Sequence, residues 1–534
     1  MLFKKFMLPV SAAFAVSAKP LGIRAGQNST SGTIEWGACE ESINSTLPIQ
    51  CGTLTVPLDY TNVSDTRTID LALLRIPSLN TTSKGSILFN FGGPGAEARN
   101  TLVSYEETLM RSTGGEHDLI AFDPRGTAEA LAYNCYPDPA QRPPAPVSDS
   151  SDKALGEVWA IGSSIAQTCL NNTKDTAPYI GTAFVARDMM QIVDALGEDG
   201  MLRYWGISYG TVLGATVAAM FPDRMDKLLL DGVVNCHNYY HKSGIDVDQL
   251  LSADSAFTET LRECIEAGEL CALSQVNSTA LELQATLLVL AEDIRKFPIA
   301  IDGIIIDYAA VINLYYLSIR SSGFQSFAPL ILNLLNRENL ESIAAVYRAL
   351  EGQGILQNPD ALLGIKGGDT IPRYSTLDGV LPTIDYMKQT TSIFWGLTTI
   401  HATLYAQWPF EAKERYEGDF NVTTPNPVLF LGNTYDPATP LASAYNMSAT
   451  FEESVVLEQH GFGHSSLSQP SNCTASIIGD YFVNGKSYYD EKGLENMADS
   501  RWVVSMLPTI VRNNIMLSTR VLGYLQSKVP TSKI

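Results

Sequence analysis

Along the first 240 residues, short apolar runs alternate with loops rich in Gly and Pro. Residues 52–58 and 68–76 have strand composition, with turn residues between them. Residues 86–91 stop at Gly92-Gly93-Pro94-Gly95, and residues 119–122 stop at Asp123-Pro124-Arg125-Gly126. Residues 183–196 repeat apolar side chains at helical intervals, with Met189, Ile192, Val193 and Leu196 on one stripe. A strand at 202–205, a helix of small residues at 211–220 and a strand at 227–231 follow. Strand-length runs alternating with helices predict a mostly parallel central sheet with helices on both faces. The alternation breaks across residues 238–420, where 254–267, 278–295 and 327–350 read as helices, and it resumes at 428–431 and 455–457. An insertion of that length between two strands is expected to form a helical cap over the strand ends, where open α/β sheets bind ligands. The expected plan is thus a first core part at 39–237, the cap at 238–420, a second core part at 421–484, and a C-terminal helical extension at 485–534 that is helix-prone over 502–525.

The chain has 534 residues, 45% of them hydrophobic, which is enough for one large core with an insertion or for two domains. Its formal charge is -21 and no Lys/Arg run interrupts the acidity, which argues against nucleic acid or an anionic membrane as partner. The first residues read as a signal peptide, 1–18: Lys4 and Lys5 precede an apolar stretch at 6–16, and Val16-Ser17-Ala18 offers small residues for cleavage. That stretch is too short to span a bilayer, and the late apolar segment 506–525 is broken by Arg512, Asn513, Asn514 and Arg520, so no membrane span is expected. A secreted chain is the expectation.

The eight cysteines fit that compartment. None forms a CxxC pair or lies near a His at metal-ligand spacing, so disulfides are expected and zinc is not. Close spacing predicts Cys39–Cys51 and Cys264–Cys271, and the remaining four are assigned as Cys135–Cys169 and Cys236–Cys473. N-glycosylation sequons occur at Asn28, Asn44, Asn62, Asn80, Asn171, Asn277, Asn421, Asn446 and Asn472.

The strongest chemical signal is Gly206-Ile207-Ser208-Tyr209-Gly210, set between an apolar strand and a helix of small residues. A serine hydroxyl is a weak nucleophile and needs exposure, a base and a place for the developing oxyanion. A tight strand-to-helix turn supplies the exposure, and the helix N-terminus directs amide donors at the oxyanion. The Tyr209 N–H is the expected first donor. Gly93 in the upstream Gly-Gly-Pro-Gly loop is the expected second, with its neighbour Gly92 as the alternative, although that loop read alone is a simple turn. The acid and base should then follow in the order Ser, Asp/Glu, His. Asp436 lies in a loop directly after a strand, where it also suits a turn before Pro437. Of six histidines only His460 and His464 come after it, and the glycine-flexed Gly461-Phe462-Gly463-His464 favours His464. In this reading Ser208 attacks an acyl carbon, His464 moves its proton, Asp436 orients the imidazole, and neither cofactor nor metal is required.

Gly92-Gly93-Pro94-Gly95, Asp123-Pro124-Arg125-Gly126-Thr127, Trp205-Gly206-Ile207-Ser208-Tyr209-Gly210-Thr211, Phe221-Pro222-Asp223-Arg224 and Leu230-Asp231-Gly232-Val233 together resemble the tripeptidyl aminopeptidase and prolyl aminopeptidase family of α/β-hydrolases. Residues 433–479 are similar to that family's C-terminal segment, with Asp436 and His464 at its acid and base positions. The resemblance implies an α/β-hydrolase fold and a secreted exopeptidase that removes short peptides from free N-termini under a helical cap. The chain departs from the family after two motifs, at Ala96-Glu97-Ala98-Arg99 and at Ala128-Glu129-Ala130. Glu97 and Glu129 are candidates to hold a substrate ammonium group, with solvated surface charge as the alternative. The peptide substrate competes with a small acyl metabolite, which would make the chain an esterase or lactonase on the same triad, and a non-catalytic binding protein on the same fold is the alternative of another class.

Overall fold

The computed structural model describes residues 32–486, apart from 129, 243–246, 322 and 354–358. The expected signal peptide, Asn28, Glu129 and the expected C-terminal extension beyond 486 therefore lie outside the described residues. Among the described residues ten strands form, in chain order, β1 (Gln50–Pro57), β2 (Thr68–Ile76), β3 (Ser86–Asn90), β4 (Asp118–Phe122), β5 (Leu202–Ile207), β6 (Met225–Asp231), β7 (Ile299–Ile301), β8 (Ile304–Ile306), β9 (Leu429–Tyr435) and β10 (Val455–Phe462). Eight of them make one sheet in the order β1-β2-β4-β3-β5-β6-β9-β10, and β7 and β8 form a separate hairpin. Pairing is antiparallel for β1–β2 and β2–β4 and parallel everywhere else in the large sheet. This is the α/β-hydrolase arrangement, with β5 near its centre.

Burial explains why the central strands carry unbroken apolar runs. On β5, Leu202 and Tyr204 point into one core cluster while Trp205 and Ile207 point into another, and on β6 Leu228 and Leu230 oppose Leu229 in the same way. The first face is covered by the helices Thr182–Leu196 and Tyr209–Met220, through Val185, Met189, Val212 and Leu213. The second is covered by Ala98–Ser104, Glu106–Ser112 and Asn472–Asn484, through Leu102, Leu109, Ile478 and Tyr481. The edge strand β1 instead alternates, with Leu54 and Val56 buried and Thr53 and Thr55 exposed, as a strand wetted on one side does.

The insertion between β6 and β9 is mostly helical, and its helices pack into more than one cluster. Helices Ala253–Glu266, Ala280–Lys296, Tyr308–Arg320 and Phe324–Asn336 bury their apolar faces in a cluster of their own. Helices Pro359–Asp369 and Trp395–Ala406 instead send Leu362, Leu363, Ile365, Leu404 and Tyr405 into the core beneath the sheet. The stretch 327–350, read above as one helix, is two: Phe324–Asn336 and Leu340–Gln353. The break comes where Arg337 (φ 59°) and Asn339 (φ 45°) turn left-handed, and the Glu338 N–H folds back onto the Asn333 carbonyl at 2.9 Å, ending the helix.

Cys39–Cys51, Cys135–Cys169 and Cys264–Cys271 are disulfides. The assigned Cys236–Cys473 pair does not form. Cys236 is buried in the cluster on the first face of the sheet, its N–H on Met447 Sδ, whereas Cys473 starts the helix Asn472–Asn484 on the second face. The sheet itself stands between them. No helix among the described residues is long and apolar enough to cross a membrane. Of the described sequons, Asn44, Asn62, Asn80, Asn171, Asn421, Asn446 and Asn472 are exposed, and Asn277 is half-buried with its Oδ1 accepting from Thr286.

Candidate active site

Ser208 follows β5 and precedes the helix Tyr209–Met220 with φ 58° and ψ −122°, a backbone conformation that non-glycine residues rarely adopt. It is held there by its N–H on the Asp231 carbonyl (3.0 Å) and by its own carbonyl, which accepts from the Thr211 N–H (2.8 Å) and Thr211 Oγ1 (2.6 Å). The turn is closed too tightly for side chains at its flanks: a Cβ at Gly206 would run into the Gly210 carbonyl, and one at Gly210 into the Asn90 carbonyl. Strain at one half-buried serine, over-determined by its surroundings, is the geometry the pentapeptide predicts.

Asp436 follows β9 and His464 follows β10, so the parallel pairing of these strands brings both loops to the same rim as Ser208. His464 Nδ1 lies 3.1 Å from both Asp436 oxygens. Asp436 is fully buried and accepts further bonds from the Ala438 N–H (2.8 Å), the Thr439 N–H (2.9 Å), Thr439 Oγ1 (2.8 Å) and the Ser465 N–H (2.9 Å). Burial pushes this carboxyl up, but the facing His464 and these donors outweigh it and hold the group below the usual aspartate range. His464 itself is fixed along its backbone. Asn433 Nδ2 donates to the carbonyls on either side, Gly463 (3.0 Å) and Ser465 (2.7 Å), and the His464 N–H donates to the Arg320 carbonyl of the insertion at 2.8 Å. Its Nε2 is buried and without a hydrogen-bond partner among the described residues, and no hydrogen bond joins it to Ser208 Oγ in this structure. Such bonds are often long before substrate arrives. The competing His460 is exposed and touches Thr434 Oγ1 at 3.2 Å, not Asp436.

Asp231, at the end of β6, escaped functional reading in the sequence. Its carbonyl holds the Ser208 N–H, and its carboxylate accepts from the Ser466 N–H (3.0 Å) and Ser466 Oγ (2.6 Å), two residues past His464. One residue thus ties the serine turn to the imidazole loop. Its carboxyl is fully buried, and burial against the Ser466 bonds leaves it raised to about 6. Only long-range packing reveals this role; the signal available was an acidic residue ending an apolar strand.

The Gly-Gly-Pro-Gly loop lies against the serine turn. Gly92 has φ +92°, and a Cβ there would stand 2.7 Å from the Ile207 carbonyl and 2.8 Å from Ser208 Cβ. Its N–H is taken by Asn90 Oδ1 at 3.0 Å, whereas among the described residues nothing accepts from the N–H of Gly93 or of Tyr209. Glu97 precedes the helix Ala98–Ser104 and accepts from Asn100 Nδ2 at 2.8 Å. Arg99 donates its Nε to Asp123 Oδ2 at 2.7 Å, joining the two loops in which the chain departs from the family pattern. Arg125 is fully buried, held by Asp188 and by the Pro57, Leu58 and Tyr179 carbonyls, and serves the fold. Among the described residues no His/Cys/Asp/Glu group is arranged to hold a metal ion.

A family model described as TAP-like protein matches residues 392–492, the segment that carries Asp436 and His464. The tripeptidyl aminopeptidase of Streptomyces lividans is 34% identical over 209 residues, 38% of this chain and 38% of that protein, so the match spans little more than a third of that relative's length. The serine protease Hip1 of Mycobacterium tuberculosis is 26% identical over 483 residues, covering 85% of this chain and 89% of its own. A thermophilic esterase from Thermogutta terrifontis overlays at a TM-score of 0.34 with 16% identity, over 79% of this chain and 96% of the esterase. With the sheet order and the strained serine in hand, the chain has an α/β-hydrolase fold, and its segment 392–492 matches the TAP-like family.

Proposed function

We propose that this chain is a serine hydrolase whose nucleophile is Ser208, whose base is His464 and whose orienting acid is Asp436. The observation that carries the proposal is the hydrogen-bonded pair of His464 and fully buried Asp436, on loops that Asp231 ties to a serine held at φ 58°. Ser208 Oγ adds to the acyl carbon as its proton passes to His464 Nε2, and the imidazolium faces a carboxylate kept ionised by its hydrogen bonds. The tetrahedral oxyanion accepts from the Tyr209 and Gly93 N–H groups. Collapse expels the leaving group, which takes the proton from His464, and water repeats the sequence on the acyl-enzyme.

The substrate we favour is a peptide with a free N-terminus, released as di- or tripeptides, because relatives over a third and over most of the chain are named as a tripeptidyl aminopeptidase and a serine protease. An export signal at residues 1–18, three disulfides and exposed sequons favour a secreted glycoprotein. The experiment combines a fluorophosphonate probe with three substrate sets: peptide anilides with free N-termini, the same peptides N-acetylated, and aryl esters. Labelling abolished by Ser208→Ala and turnover confined to the free peptides are expected. Equal turnover of the acetylated peptides would remove the exopeptidase, and turnover of esters alone would make the chain an esterase.

A further inference from the structure

Tyr209 supplies an oxyanion amide in the reading above, yet its side chain runs away from the site and is buried. Its hydroxyl lies 2.5 Å from Thr182 Oγ1, and Thr182 Oγ1 donates to Asp369 Oδ2 at 2.5 Å. A threonine has one hydroxyl hydrogen, so with that hydrogen on Asp369 the Tyr209 hydroxyl must be the donor of the first bond. Asp369 also accepts from the Thr182 N–H (3.0 Å) and the Tyr239 hydroxyl (2.8 Å). It comes from the last position of the helix Pro359–Asp369, inside the insertion, and is fully buried. No Lys or Arg among the described residues lies within ion-pairing distance of it, and the charge of Arg415 acts on it only weakly. A buried carboxylate without an ion pair is expensive to keep, and here every one of its bonds leads, directly or through Thr182, toward the serine turn or the tyrosines packed on it.

We infer that Asp369 is a positioning residue: through Thr182 it fixes the Tyr209 side chain, and with it the amide that receives the oxyanion. The inference rests on the serine-hydrolase reading. A donor misplaced by a fraction of an ångström loses its strength mainly in the transition state, so the loss belongs in kcat and not in KM. The geometry thereby gives the insertion a part in ordering the oxyanion amide.

The experiment compares wild type with Asp369→Asn, Thr182→Val, Thr182→Ser and Tyr209→Phe on p-nitrophenyl acetate, with active sites counted by the fluorophosphonate probe. Per active site, Asp369→Asn, Thr182→Val and Tyr209→Phe are expected to lose about ten-fold or more in kcat with KM changed less than about two-fold, the scale of one hydrogen bond. Thr182→Ser, which keeps the hydroxyl, is expected to restore most of the rate. Affinity for a trifluoromethyl ketone, which forms a tetrahedral adduct on the serine, should fall in step with kcat. If Asp369→Asn does not fold, the Thr182 and Tyr209 variants decide. Variants that lower Tm but keep wild-type kcat and adduct affinity per active site would overturn the inference and leave the hydrolase intact. A wild type that neither labels nor turns over would overturn both.

Discussion

At the scale of single residues, the site is a set of backbone and side-chain constraints around three groups, and each can be broken separately. Asp436→Asn should keep the fold but lose on the order of 10⁴-fold in kcat, because an amide facing Nδ1 favours the wrong imidazole tautomer. Steady-state kinetics on any accepted substrate measures it. Gly92→Ala places a methyl group against Ile207 and Ser208 at a φ of +92°, so fluorophosphonate labelling should be lost even in protein that remains folded. Asp231 gives a pH test. Its folded carboxyl is raised to about 6 by burial against the Ser466 hydrogen bonds, above the ordinary 3.8. The stabilisation that accompanies a raised value is complete below pH 3.8 and disappears as pH rises through about 6. Stability of the wild type relative to Asp231→Asn should therefore fall between pH 4 and 7, by an amount on the order of 3 kcal/mol. Tm values of the two proteins across that range give the difference, and a constant gap would mean that Asp231 stays ionised throughout.

At the scale of elements, periodicity and punctuation sufficed for the sheet. The runs at 86–91, 119–122 and 227–231 are strands because they are buried on both faces, and the loops that stop them carry the chemistry. Ser208, Asp436 and His464 were legible because each sits at a strand end in a local pattern that only a tight turn or a glycine-flexed loop explains. What the sequence hid is tertiary. The helix break at Arg337 has no Gly or Pro to announce it, and the Cys236–Cys473 assignment, made from the cysteines left over, ignored that a sheet separates the two. Peptide mapping should accordingly find three disulfides, and Cys236 should react with a maleimide only after denaturation, since its thiol is buried and pushed up by that burial. Glu97, a candidate for the substrate's ammonium group, is engaged with Asn100 at a helix start.

At the scale of the whole molecule, the insertion is not an appendage. Leu362, Leu363, Ile365, Leu404 and Tyr405 lie in the same core as Val185 and Met189, so excising residues 238–420 would strip one face of the sheet. Such a deletion is expected to give no soluble protein, and its soluble yield on expression is the measurement. The other half of the insertion, built on its own core, is bound to the imidazole loop by the bond from the His464 N–H to the Arg320 carbonyl. Arg320 ends the helix Tyr308–Arg320 with one of the four carbonyls that no helix can satisfy internally. That helix cannot swing away without stripping the His464 backbone of one of its moorings, so the position of the imidazole loop is tied to the seating of the insertion.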